Sequence, residues 1–221
     1  QVDCGGESGL VGTVIRATVM HILHVAPYYA PAYAFGGVVR SAEGMARALA
    51  RRGHRVTVLT TDALSSDSRY DGPKDEMRDG VRVLRARNRS VWLRGRLNLG
   101  TAFEMGRLAV GILADVDVVH IHEFRTVENL LVLPLVKQPV VLSAHGTLNL
   151  TTGRPIIKRV WDGLFSAGMA GRIDQIIGLS DAELAEVQSV WSTYGWKLPR
   201  AGLTQIPNGV DLAEFATLPD G

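Results

Sequence analysis

The chain has 221 residues, 46% of them apolar, a formal charge of +2 and one cysteine, and this is enough apolar material for a packed core of ordinary size. Basic and acidic residues are interleaved along most of the sequence, which excludes a basic stripe for nucleic acid. The longest apolar run, Leu130 to Val136, is broken by Pro134 and is far too short for a bilayer core of about 30 Å.

Cys4 has no second cysteine to pair with, which fits a reducing, cytoplasmic setting. Residues 1–19 lack the basic start, long apolar stretch and cleavage site of a signal peptide. They read as a disordered extension, tag residues or a misassigned start ahead of Met20. The run His21 to Ala26 is short, apolar and stopped by Pro27, as suits a buried parallel strand. From Val38, apolar residues recur at Val39, Ala42, Met45, Ala46 and Leu49, the spacing of an amphipathic helix. Glu43 and Arg47 stand one turn apart as a favourable pair, and Gly53 is placed to end the helix in a left-handed conformation.

Val56 to Thr60 reads as the second strand. Asp62 to Gly80 has glycine, proline and charge but no period, and reads as a surface loop. A strand over Val81 to Ala86, a helix over Leu99 to Leu113 and a strand over Val116 to Ile121 follow. Then come a helix over Thr126 to Val136, a strand over Val140 to Leu142, a helix over Ile156 to Ala170 and a strand over Ile173 to Ile177. Ser180 and Glu183 form a capping box ahead of a helix with Leu184, Val187, Trp191 and Tyr194 on one face. A last strand near Leu203 to Ile206 runs into a proline and an Asn-Gly turn. This alternation predicts an α/β fold, a doubly wound, mostly parallel Rossmann-like sheet with helices on both faces.

Ligands of such sheets collect beyond the carboxyl ends of the strands. Gly36 and Gly37 lie between the first strand and its helix, where missing β-carbons admit a close ligand and free amides favour a diphosphate. A tight turn feeding a helix explains the pair as well, and the spacing does not match the three-glycine dinucleotide fingerprint. His145 follows the strand at Val140 and is placed to donate to a sugar hydroxyl or substrate oxygen, or to serve as a structural histidine. Glu123 and Arg125 reach the same rim and suit a polyhydroxylated or anionic acceptor, or an exposed turn pair. His120 and His122 alternate on one strand face, but no further ligand is placed to complete a metal site, and core packing accounts for His120. Arg154, Lys158 and Arg159 form a basic cluster on the helix from Ile156, whose other face carries Ile157, Val160, Trp161, Leu164 and Phe165. The simpler reading is a core helix with a solvated face; the other is attraction of a phosphorylated or lipid-linked acceptor or an anionic membrane.

The segments HILHVAPYYAPAYAFGGVVRSAEGMARALARRGHRVTVLTT, DVVHIHEF, SAHGTL, DQIIGLSDAE and QIPNGVDLAEF together resemble the retaining GT-B glycosyltransferases of glycosyltransferase family four, from Met20 to about Phe215. The resemblance implies two facing Rossmann-like domains, the first binding mainly the acceptor and the second mainly a nucleotide-diphosphate sugar. On that pattern residues 20–206 are the acceptor-side domain, and residues 207–221 are the interdomain linker and the start of a missing C-terminal domain. Gly36 and Gly37 become the loop that approaches the donor diphosphate, and His145 the catalytic-site histidine that faces the transferred sugar. Glu123, Arg125 and Arg154 fall on the acceptor side, and Asn208, Gly209 and Asp211 in the interdomain segment. The family's paired glutamates and diphosphate-clamping basic residues belong to the second domain, so the fragment alone is expected to be inactive. No cofactor or metal is implied, the expected partners are a nucleotide-diphosphate sugar and a carbohydrate or lipid-linked acceptor, and the basic helix adds the expectation of peripheral contact at the inner membrane face. A sugar-nucleotide epimerase on the same scaffold, or a non-catalytic carbohydrate- or nucleotide-binding module, are the alternatives.

Overall fold

The computed structural model describes residues 18–150 and 154–210. Its eight strands are β1 (His21–Val25), β2 (Arg55–Thr61), β3 (Asp75–Arg78), β4 (Val81–Ala86), β5 (Val118–His122), β6 (Val140–Ser143), β7 (Gln175–Gly178) and β8 (Leu203–Gln205). They form a single sheet in the order β3-β4-β2-β1-β5-β6-β7-β8, parallel throughout except for β3 against β4. Between them run α1 (Gly37–Arg51), α2 (Val91–Leu97), α3 (Met105–Leu113), α4 (Val127–Val132), α5 (Pro155–Trp161), α6 (Ala167–Ala170) and α7 (Asp181–Thr193). No helix among the described residues is long and apolar enough to cross a membrane.

Strand alternation sends side chains to two different packings. Leu23 and Val25 of β1 and Val119 and Ile121 of β5 join the larger core with Met105, Ala109, Phe124 and Trp191. Ala42 and Ala46 of α1 cover Val56, Val58, Val81 and Val83 on the opposite face. The residues between the aliphatic ones on the central strands, His24, His120 and His122, therefore share the face on which α1 packs. α1 ends as expected: Gly53 has φ +88°, a conformation that glycine adopts without strain.

Four expectations need correction. The segment Asp62–Gly80 is not all loop, because β3 pairs antiparallel with β4 as an edge strand. Its DEMR sequence has no aliphatic alternation, yet Asp79 (φ +50°) and Gly80 (φ +80°) supply the left-handed pair that a two-residue hairpin requires. The helix expected from Leu99 starts at Met105, and the separate helix α2 precedes it, capped by the Ser90 side chain at the Leu93 N–H. The Glu43–Arg47 pair does not form: Tyr33 Oη donates to Glu43 at 3.0 Å, and Arg47 reaches Asp79 at 3.7 Å. The helix from residue 155 is not a core helix on its apolar face, since Ile156, Ile157, Val160, Leu164 and Phe165 are all exposed.

That last helix also changes pitch. Residues 162–166 form a π turn between α5 and α6, which turns Asp162 inward. The buried Asp162 carboxylate accepts from Arg125 Nε at 2.8 Å and Nη2 at 2.7 Å, and from Ser166 Oγ at 2.7 Å.

Candidate functional site

The strand order reverses direction between β1 and β5, the place where ligands collect on open α/β sheets. A groove of about 500 Å³ opens on this side. Its walls include Arg40, Ser41 and Arg47 of α1, His145 beyond β6, Leu179 beyond β7 and Asn208 of the last described segment. Gly36 and Gly37 lie one turn ahead of Arg40 and are exposed. Gly36 has φ +86° and ψ −148°, which is glycine territory, and a β-carbon at either position would meet nothing within 4 Å. Both glycines leave the start of α1 open to a ligand, next to the groove rather than in its lining.

His145 is held in a left-handed conformation, φ +54°, followed by Gly146 at φ +70°. Such a backbone in a non-glycine residue persists only where neighbours enforce it. The enforcing group is Glu183, whose Oε1 accepts from the Gly146 N–H and whose Oε2 accepts from the Leu179 N–H, each at 2.6 Å. The expected capping box is thus half present. Ser180 Oγ caps the Glu183 N–H at 3.3 Å, while the Glu183 side chain binds the residue before Ser180 and pins the His145 loop.

Behind His145 stands a row of histidines. His122 Nδ1 lies 2.9 Å from His145 Nε2, and His122 Nε2 lies 2.9 Å from His24 Nδ1. His120, the cross-strand partner of His24, places Nε2 2.9 Å from Ser143 Oγ. Burial lowers the pKa of His24 to about 4 and carries those of His120 and His122 well below the usual imidazole value, with mutual repulsion as the next cause. Burial lowers that of His145 too, against the pull of Glu183. The row is therefore neutral at neutral pH. His24, His120 and His122 offer ring nitrogens within 4.8 Å of one another, a set that qualifies as metal ligands by type. Both nitrogens of His122 are already engaged with other imidazoles, so a metal would have to displace those hydrogen bonds.

Glu123 and Arg125 do not line the groove. Glu123 has φ +62°, and burial, helped by the nearby Glu128 carboxylate, pushes its pKa up to about 7. Arg125 is committed to the protein itself: beyond Asp162, its Nη1 donates to the Thr147 and Leu148 carbonyls at 3.1 Å, which fixes the loop after His145. Arg154 precedes α5 and donates to the Arg96 carbonyl at 2.8 Å, tying α5 to α2. Asn208 and Gly209 are exposed, and Ser41 Oγ donates to Asn208 Oδ1 at 2.6 Å; Asp211 lies outside the described residues. Sequence reasoning did not single out His24, Ser41 or the looping role of Glu183. Only the strand order, which puts β1 beside β5, brings His24 to His122.

The family model Glycosyltransferase Family 4 matches residues 35–214. The fold resembles that of Anabaena Alr3699/HepE, solved in complex with UDP-glucose, at 15% identity and TM-score 0.56, over 88% of this chain and 45% of that one. The catalytic domain of starch synthase IV from Arabidopsis thaliana, bound to ADP and acarbose, matches at 15% identity and TM-score 0.54, over 90% of this chain and 53% of that one. A glycosyltransferase from Rickettsia africae ESF-5 matches at 17% identity and TM-score 0.52, over 92% and 47%. This chain spans about half the length of those structures. Among curated proteins no sequence matches it.

Proposed function

The chain belongs to glycosyltransferase family 4, and from that premise we propose that it is the acceptor-side half of an enzyme that moves a sugar from a nucleotide diphosphate to an acceptor hydroxyl with retention. The observation that carries this reading is His145, held in a left-handed backbone at the lip of a groove whose facing wall is α1. The open start of α1 at Gly36 and Gly37 suits the donor diphosphate, because helix-start amides and the helix dipole favour an anion. His145 meets the transferred sugar. Asn208, held to Ser41, leads toward a second domain that supplies the opposite wall and the diphosphate clamp. Sugar transfer of this kind draws its acceleration from positioning and fixed charge, and one wall offers little of either. The 221-residue chain alone is therefore inactive.

The acceptor lies on the flank of Glu123 and Arg154, with Arg125 holding the loop between them and His145. The exposed apolar residues of α5, flanked by Arg154, Lys158 and Arg159, favour a lipid-linked acceptor presented at an anionic surface. On this reading the protein works at the cytoplasmic face of the membrane.

Backbone resonances followed during titration with nucleotide-diphosphate sugars test the donor assignment. Shifts are expected at Gly36, Gly37 and the His145 loop. A titration whose shifts fall on a distant surface instead refutes it.

A further inference from the structure

We propose that His122 and His24 are positioning residues that fix which nitrogen of His145 carries its hydrogen, making His145 a donor through Nδ1 to an oxygen lone pair in the groove. The inference rests on the proposed role of His145 opposite the transferred sugar.

The geometry is that of a hydrogen-bonded row. The ring centres of His24 and His122 are 5.2 Å apart with planes 20° from parallel, and those of His122 and His145 are 5.2 Å apart with planes 13° from parallel. In both pairs the joined nitrogens are 2.9 Å apart, much closer than the ring centres. The rings therefore meet edge to edge in nearly shared planes, not face to face, and each contact aligns an N–H with a lone pair.

Burial keeps these rings neutral, so each carries one hydrogen. Two contacts among three singly protonated rings must run in one direction, which leaves two arrangements. Run inward, His145 donates from Nε2 to His122, His122 donates to His24, and an N–H is left on His24 Nε2. That atom is fully buried and has no hydrogen-bond partner. Run outward, His24 donates from Nδ1 to His122 Nε2, and His122 donates from Nδ1 to His145 Nε2. His24 Nε2 then carries only a lone pair. An orphaned buried N–H is rarer and more costly than an orphaned acceptor, so the outward direction wins.

The outcome at the surface is chemical. His145 Nε2 accepts from the row, its hydrogen resides on Nδ1, and no described residue accepts from Nδ1. The group that Nδ1 meets in the groove must offer a lone pair: a sugar hydroxyl, carbonyl or phosphate oxygen fits, and an ammonium or amide N–H does not. The histidine row thus selects oxygen-rich ligands from the interior of the sheet, without touching them.

The test is a two-bond nitrogen–proton correlation spectrum of the chain carrying isotope-labelled histidine, near neutral pH and without any sugar or nucleotide. His145 is assigned by the signals lost in His145→Asn. The wild-type chain should show His145 protonated on Nδ1. His122→Ala, which removes the donor at the former Nδ1, should lose that signature. An Nε2–H on His145 in the wild type, or an unchanged Nδ1–H in His122→Ala, would overturn the proposal. The wild-type spectrum decides the direction of the row even if His122→Ala does not fold. Because the sample holds no donor, a wrong tautomer refutes the relay alone, whereas a nucleotide-sugar titration that moves only a distant surface refutes the sugar-transfer role alone.

Discussion

Ser41 Oγ donates to Asn208 Oδ1 at 2.6 Å, joining the second turn of α1 to a segment 167 residues later in the chain. Both groups are exposed, so the bond contributes less than about 1 kcal/mol to global stability. Its effect is local. In Ser41→Ala, hydrogen exchange at Gly209 and Val210 should rise several-fold while the thermal midpoint stays nearly unchanged; unaltered exchange there would show that other contacts hold the segment.

Arg125 and Asp162 form a buried pair, their side chains 9% and 0% exposed. Removing the forked guanidinium strands a buried carboxylate and two loop carbonyls. Arg125→Ala should lose about 3–5 kcal/mol in urea unfolding. Arg125→Lys should recover less than half of that, because an ammonium cannot reproduce the bidentate contact. Equal stability of the two variants would contradict this.

Gly36 and Gly37 are adjacent, equally open, and unequal in backbone demand. Gly36→Ala must hold φ near +86° and should cost about 1–3 kcal/mol. Gly37 begins the helix with no such demand, so Gly37→Ala should change stability by less than about 1 kcal/mol. Denaturant midpoints of the two variants give the comparison, and a reversed order would sink it.

The histidine row and Glu123 pull stability in opposite directions with pH. For His24 the folded pKa is about 4 against 6.5 unfolded, so below 6.5 the unfolded state binds more protons and stability falls as pH falls toward 4. His120, His122 and His145 are also lowered and act in the same sense. For Glu123 the folded pKa is about 7 against 4.5 unfolded, so the folded state binds more protons in between and stability falls as pH rises from 4.5 to 7. Glu123→Gln should therefore be more stable than the wild type by roughly 1–3 kcal/mol at pH above 7, and no more stable near pH 4. A gain of equal size at both ends would point to packing instead.

The α5 surface gives a direct readout. Vesicles rich in anionic lipid should sediment the chain, and neutral vesicles should not. Replacing Ile156 and Val160, which are 76% and 57% exposed, by serine should abolish sedimentation without loss of fold. Retained binding would assign the surface another role.

Much of this architecture could be read from local signals. Short β-branched runs gave the parallel strands, and Ser180 and Gly53 marked helix ends because capping needs only near neighbours. Edge strand β3 escaped detection because a solvent-facing strand need not alternate with aliphatic residues, although the Asp79-Gly80 turn was legible. In the helix from residue 155 the period was correct and the environment was not, since periodicity reveals a face but not what covers it. The positions of His145 and the glycine pair after strands pointed to the sheet rim, where His145 lines the groove and the glycines stand beside it. The other members of the site were hidden for one reason. His24 meets His122 across 98 residues and Gly146 meets Glu183 across 37, and such encounters are set by strand order.

The neighbourhood of β1 and β5 also governs how the molecule must assemble. One wing of the sheet is built from early chain, β1 to β4, and the other from late chain, β5 to β8. The join between them closes a loop spanning 96 residues, seen in the His21 N–H to Asp117 contact. Long loops are slow to close, so each wing can gather its own strands before the seam between them zips. Imidazoles line that seam and are buried in their neutral form once it shuts, so acid, which charges them in the open chain, opposes its closure.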